Sequence, residues 1–230
     1  RTAREPETLR GRLAEVGIAG ALVRHSLAAD GHPAAGNEEL DRALRGVEGV
    51  ERMWAVMPHW TGEFPAPAEL RRRMAASGAR AVVAYPALHG WPLRASVAGP
   101  LLEMLEASRV PLFLPSTQAD LGAVEEVLSR HPALPVVLCD VSYRIARELY
   151  PLLGRWQTLH LETSGYMVHR GLEDIARRFG ASRLVFGTRY PTYNPGCAVA
   201  AVLEAELSPA DRALVASGNL RRLLREARLA

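Results

Sequence analysis

Short apolar runs recur along the chain, at Ala21–Val23, Met53–Met57, Ala81–Tyr85, Pro111–Leu114, Val136–Cys139, Thr158–Leu161 and Leu184–Phe186. Their first residues lie between 22 and 32 positions apart, the length of one strand and one helix. Between the runs, apolar residues fall at spacings of three and four. Leu9, Leu13 and Val16 form one such set, and Leu70 and Met74 another. Leu101, Leu102 and Leu105, then Val124, Val127 and Leu128, then Leu172, Ile175 and Phe179 continue it. Spacing of that kind gives a helix one apolar face, while a short continuous run reads as a strand covered on both sides. The pattern predicts strands and helices alternating around a parallel sheet. Punctuation agrees: Pro6 lies near a helix start and Gly17 just past its end. Ser208, Pro209 and Asp211 supply a cap, a first-turn proline and a first-turn acid, and Gly218 reads as a terminator.

Seven units are one short of the eight that close a β/α barrel. The expected fold is α/β, a (β/α)8 TIM-type barrel forming one domain over residues 1–230. No low-complexity linker divides the chain, and no repeat exceeds the strand-helix unit.

With 230 residues, 48% of them apolar and 23% charged, the chain has the makeup of a globular protein with one sizeable core. No apolar run approaches the roughly 18 residues of a membrane span, and no signal peptide is visible. Cys139 and Cys197 give no disulfide framework, so a reducing cytoplasm is the expected location. All 28 basic residues are arginine, which excludes a Schiff-base lysine, a carboxylated-lysine metal bridge and a P-loop lysine. A net charge of +3 is too small, and the arginines too dispersed, for nucleic acid. Arg71-Arg72-Arg73 and Arg221-Arg222 sit in helical patterns and read as solvated faces.

In a β/α barrel the reacting groups project from the C-terminal ends of the strands and the loops that follow. In order, those ends carry Arg24-His25-Ser26, Pro58-His59-Trp60, Tyr85-Pro86 with His89, and Leu114-Pro115-Ser116-Thr117. Cys139-Asp140, Glu162-Thr163-Ser164 and Thr188-Arg189-Tyr190 follow. Arg189 suits a carboxylate or phosphate through its bidentate fork. Asp140 or Glu162 serves as a base or pairs with Arg189, and His25 or His59 shuttles a proton. The catalytic candidates are thus Asp140, Glu162, His25 and His59. The ligand-binding candidates are Arg189, His89, Tyr85, Tyr190 and His169. The bland alternative is an Arg189–Asp140 or Arg189–Glu162 ion pair that plugs the mouth, since buried charges are paired. His131 reads as a helix-end residue, His160 as a core residue and His32 as solvated. Trp60, Tyr85, Trp91, Tyr143, Tyr166, Tyr190 and Tyr193 either line a pocket for a planar ligand or cap the mouth. Cys139 reads as apolar filler, because a neighbouring carboxylate raises a thiol pKa.

The stretch Gly187-Thr188-Arg189-Tyr190-Pro191 is followed by Ser208-Pro209-Ala210-Asp211-Arg212 and then by Gly218-Asn219-Leu220-Arg221-Arg222-Leu223-Leu224. That order resembles the C-terminal end of the amidohydrolase superfamily, especially the branch around aminocarboxymuconate-semialdehyde decarboxylase. Gly36-Asn37-Glu38 with Leu40, Val110-Pro111-Leu112-Phe113, His131-Pro132 before Pro135-Val136-Val137-Leu138, and Leu161-Glu162-Thr163-Ser164-Gly165 extend the resemblance over most of the chain. The resemblance implies a metal-dependent barrel whose first strand carries a His-x-His pair immediately upstream of Arg1. The first strand is therefore expected to be missing from this chain, with a seven-strand or open barrel as the rival.

The resemblance also implies metal ligands where Pro115, Asp140 and Arg189 stand, the last replacing an aspartate that ligates the ion and carries a proton. A guanidinium has a pKa above about 12, offers donors only, and cannot ligate a cation. At about 4 Å it repels a divalent ion by several kcal/mol. No cofactor is expected, zinc or another divalent metal entering only if upstream ligands exist. The implied function is a small-molecule hydrolase or lyase with a degenerate, metal-free site. The alternative is a non-catalytic relative that binds a small anion or a protein partner. The expected partner is a small molecule, an anion in particular, with a homo-oligomer open and with neither nucleic acid nor membrane.

Overall fold

The computed structural model describes residues 6–229. Seven strands, β1 (Ala21–Val23), β2 (Val50–Val56), β3 (Ala81–Ala84), β4 (Leu112–Pro115), β5 (Val136–Cys139), β6 (Leu159–Glu162) and β7 (Leu184–Val185), form one sheet in sequence order. Every neighbouring pair is parallel, with Met53 beside Ala81, Leu112 beside Val136 and Leu161 beside Leu184. Parallel neighbours need a crossover, and helices supply it. The principal helices are α1 (Pro6–Ala14), α2 (Leu27–Asp30), α3 (Pro33–Ala43), α4 (Pro67–Ser77), α5 (Ala95–Ala107) and α6 (Leu121–Arg130). They continue as α7 (Ala146–Arg155), α8 (Gly171–Phe179), α9 (Pro195–Glu204), α10 (Pro209–Ala213) and α11 (Asn219–Glu226). The sheet curls into an incomplete TIM-type barrel whose edges are β1 and β7.

Strand alternation sorts the side chains into two cores. Trp54, Val82, Leu112, Leu138, Leu161 and Leu184 face outward to the helices, meeting Leu70, Leu102, Val124, Leu149 and Ile175. Met53, Ala55, Ala81, Val83, Tyr85, Phe113, Val137 and Val185 face inward, with Cys139 against them. By the same period His160 and Glu162, which alternate with Leu159 and Leu161, take the interior side of β6. Leu220, Leu223 and Leu224 of α11 belong to that inner cluster, as does Leu22 of β1. A helix face, rather than a strand, thus covers the interior at the open side.

Gly218 does not end a helix. Its φ of −56° and ψ of −44° continue a helical path from α10 through one π turn, Leu214–Gly218, into α11. The reason is tertiary: Val215 O accepts from Phe186 N just past β7, and Asn219 Nδ2 donates to Ala181 O and Leu184 O. Those bonds hold the run against β7 and leave no turn for a left-handed glycine. Elsewhere the punctuation stands. Gly17 has φ 79° after α1, and the Ser208 hydroxyl accepts from Asp211 N ahead of Pro209. His131 caps the end of α6, His160 is buried, and His32 is the N-cap of α3. Among the described residues no helix is long and apolar enough to cross a membrane.

Candidate functional site

The C-terminal strand ends meet at one mouth. The loop after β7 brings Arg189 to the loop after β5, where its Nε lies 2.6 Å from Asp140 Oδ1. The guanidinium also sits 4.7 Å from the centroid of the Tyr193 ring. Both partners are about a quarter exposed, with 32% and 22% of their side-chain surfaces open. Both adopt a left-handed backbone, φ 50° at Arg189 and 56° at Asp140. Such a conformation costs a non-glycine residue on the order of 1 kcal/mol and persists only where its surroundings fix it. Ser116 contributes, its Oγ donating to Asp140 O at 2.9 Å.

Glu162 ends β6 beneath this pair and is buried. Its Oε1 accepts from Ser164 N at 2.8 Å and its Oε2 from Ser164 Oγ at 2.7 Å. Burial raises its pKa above the ordinary glutamate range, an effect the two Ser164 bonds offset only in part. Asp140 pushes the same way and Arg189 opposes. Gly187 closes the floor, for a β-carbon there would stand 1.8 Å from Glu162 Oε1. Cys139 beside them is held as the thiol: burial, then Glu162 and Asp140, push its pKa well up.

Across the mouth, Tyr85 follows β3 and is 3% exposed. Its hydroxyl has no hydrogen-bond partner, and burial pushes its pKa to about 12. His89 stands edge-on to it, ring centroids 5.6 Å apart, with Nε2 facing Ala29 O at 3.2 Å.

The structure therefore gathers Asp140, Glu162 and Arg189, with Tyr85 and His89 opposite. Tyr190 lies half-buried beside Arg189, its N–H donating to Thr188 Oγ1. His25 and His59 stand at the rim: His25 Nδ1 accepts from Leu27 N, and His59 stacks on Trp60 at 4.6 Å. Neither bonds to the central three. His169 is exposed. The expected ion pair is Arg189–Asp140 and not Arg189–Glu162. The rim aromatics divide: Tyr85, Trp91 and Tyr166 are buried, while Trp60, Tyr143 and Tyr193 are exposed. Two contributors, Ser164 and Arg24, stand among the strand-end residues read from the sequence but not among its catalytic or ligand-binding candidates. Arg24 directly follows β1, and that position was its only signal.

A zinc site takes about three protein donors of the His, Cys or carboxylate type. Among the described residues no three of these gather closely enough to hold a metal ion. Asp140, the one carboxylate at the rim of the pair, already faces a fixed cation. The described residues do not fit a divalent ion at this mouth.

The sequence profile of the family described as amidohydrolase matches residues 12–225. The chain belongs to the amidohydrolase family. No curated protein matches the chain in sequence. Its fold is similar to that of an uncharacterised TIM-barrel protein from Bordetella bronchiseptica, at 18% identity and TM-score 0.78, over 96% of this chain and 83% of that one. It is also similar to 2,6-dihydroxybenzoate decarboxylase from Rhizobium, at 16% identity and TM-score 0.77, over 96% of this chain and 88% of that one. A third is 5-carboxyvanillate decarboxylase from Sphingomonas paucimobilis, at 16% identity and TM-score 0.69, over 94% and 81% of the two chains.

Proposed function

We propose that this amidohydrolase-family chain is a small-molecule lyase or hydrolase acting on a carboxylic acid, with acid-base chemistry at Glu162 and no metal ion at the mouth. The observation that carries the reading is the buried Glu162, doubly bonded to Ser164, beneath the Arg189–Asp140 pair. A carboxyl with a raised pKa holds a proton that an exposed glutamate would release. In a lyase step the bond between the ligand and its carboxylate breaks, CO2 leaves, and the electron pair left on carbon takes the proton of Glu162. Water then returns a proton to Glu162, with His25 and His59 at the rim as carriers. Arg189 and the half-buried Tyr190 line the approach. The kinship in fold with two decarboxylases of aromatic acids supports this direction of chemistry.

One observation favours a second reading. Arg189 already holds Asp140 at 2.6 Å, a pair that plugs the mouth and suits a relative binding a small anion elsewhere at the rim, or a protein partner, without turnover.

The test is turnover of 2,6-dihydroxybenzoate and 5-carboxyvanillate by protein purified without chelator, with elemental analysis of the same sample. We expect activity that survives chelation and falls by about 100-fold or more in Glu162→Gln. Stoichiometric zinc or manganese, with activity lost on its removal, overturns the metal-free reading. Acid binding without turnover selects the second one.

A further inference from the structure

Among the described residues, no carboxylate balances the exposed Arg24 at this mouth. Its guanidinium lies 5.6 Å from the centroid of the Tyr85 ring and, among the described residues, forms no ion pair or hydrogen bond. Arg189 differs, because Asp140 neutralises it at 2.6 Å. Beside Arg24, Tyr85 has its ring fixed in the inner cluster and its hydroxyl buried and unpartnered. A buried hydroxyl without a partner costs about 1–3 kcal/mol, so it is retained where something else meets it. The charges that reach this hydroxyl are those of Arg24 and Asp140, with exposed Asp30 the weakest, which places it at the mouth. Its proton stays on, so it is able to donate to an acceptor.

His89 adds a third element. A carbonyl only accepts, so the Ala29 O contact puts the ring proton on Nε2. Nδ1 is buried with no partner.

An unpaired guanidinium over the ring of a tyrosine whose O–H lacks an acceptor matches an anionic oxygen pair. We propose that Arg24 and the Tyr85 hydroxyl, flanked by His89, anchor the ligand's carboxylate, leaving Arg189 to hold Asp140. This rests on the carboxylic-acid function proposed for the chain and assigns the residues that select for the acid.

Calorimetric titration of the full chain with benzoate, and with benzamide as its uncharged counterpart, tests it. We expect wild type to prefer benzoate by at least about 10-fold, the worth of one charge-assisted bond. Arg24→Met should erase that preference, and Tyr85→Phe, which keeps the ring, should weaken benzoate by about the same factor. A benzoate preference unchanged in both Arg24→Met and Tyr85→Phe overturns the assignment while the carboxylic-acid reading stands. Failure of wild type to prefer benzoate over benzamide overturns both.

Discussion

Position 187 tolerates no side chain. A β-carbon there would lie 1.8 Å from Glu162 Oε1 and 2.4 Å from the carboxyl carbon. Gly187→Ala must therefore push Glu162 off Ser164 or shift the loop after β7. Overpacking of this kind costs about 1–3 kcal/mol. Urea unfolding is expected to show that loss, together with a fall in whatever activity depends on Glu162. A Gly187→Ala chain with wild-type stability and activity contradicts the packing of the Glu162 carboxyl against Gly187. Glu162, Asp140 and Arg189 were visible in the sequence as strand-end groups, and Gly187 stood in the stretch that carries the family resemblance. What the sequence did not carry is their approach across neighbouring strands, since a tight contact between backbone and carboxylate leaves no periodic mark. Arg183 shows the same limit. It is 1% exposed and donates to Leu159 O, Gln157 Oε1, Leu153 O and Trp156 O. Nothing in an arginine-rich chain distinguishes that one arginine from the solvated ones in α4.

At the scale of elements, the apolar runs located all seven strands because a sheet covered on both faces needs them. The ends were less legible. β2 starts at Val50, since pairing with β1 draws Glu51 and Arg52 opposite Leu22 and Val23, and those polar residues break the apolar run. Gly218 misled because its propensity to stop a helix is overridden by the bonds from Phe186 and Asn219. The helix it fails to stop, α11, fills the open side of the barrel with Leu223, 1% exposed. Leu223→Ala removes that filling at a point where strands β1 and β7 do not pair. The expected cost is about 2–5 kcal/mol, read as a lower urea midpoint at unchanged slope. A loss under about 1 kcal/mol means that α11 is not what seals the interior.

Taken whole, the barrel keeps two titratable groups on the inner side of β6, and their shifts oppose one another. His160 is 4% exposed, and burial, then the charges of Arg183 and Arg222, lower its pKa from 6.5 to about 3. Below 6.5 the unfolded chain takes up a proton that the folded chain refuses until the pH nears 3. Stability from this source is intact above that window and declines as the pH falls through it, by about 1.4 kcal/mol per unit. Glu162 works in reverse. Its raised pKa means the folded state holds a proton that the unfolded state has released, so its contribution declines as the pH rises past 4.5. Replacing His160 by leucine deletes the first effect and leaves the second in place. On lowering the pH from 6.5 to about 5, the wild type should therefore lose about 2 kcal/mol more than His160→Leu, measured by urea unfolding at both values. Because Glu162 titrates alike in the two proteins, it drops out of that difference. Equal losses in the two chains would locate the acid sensitivity elsewhere, in the surface ion pairs of a protein whose net charge is already +3 at pH 7.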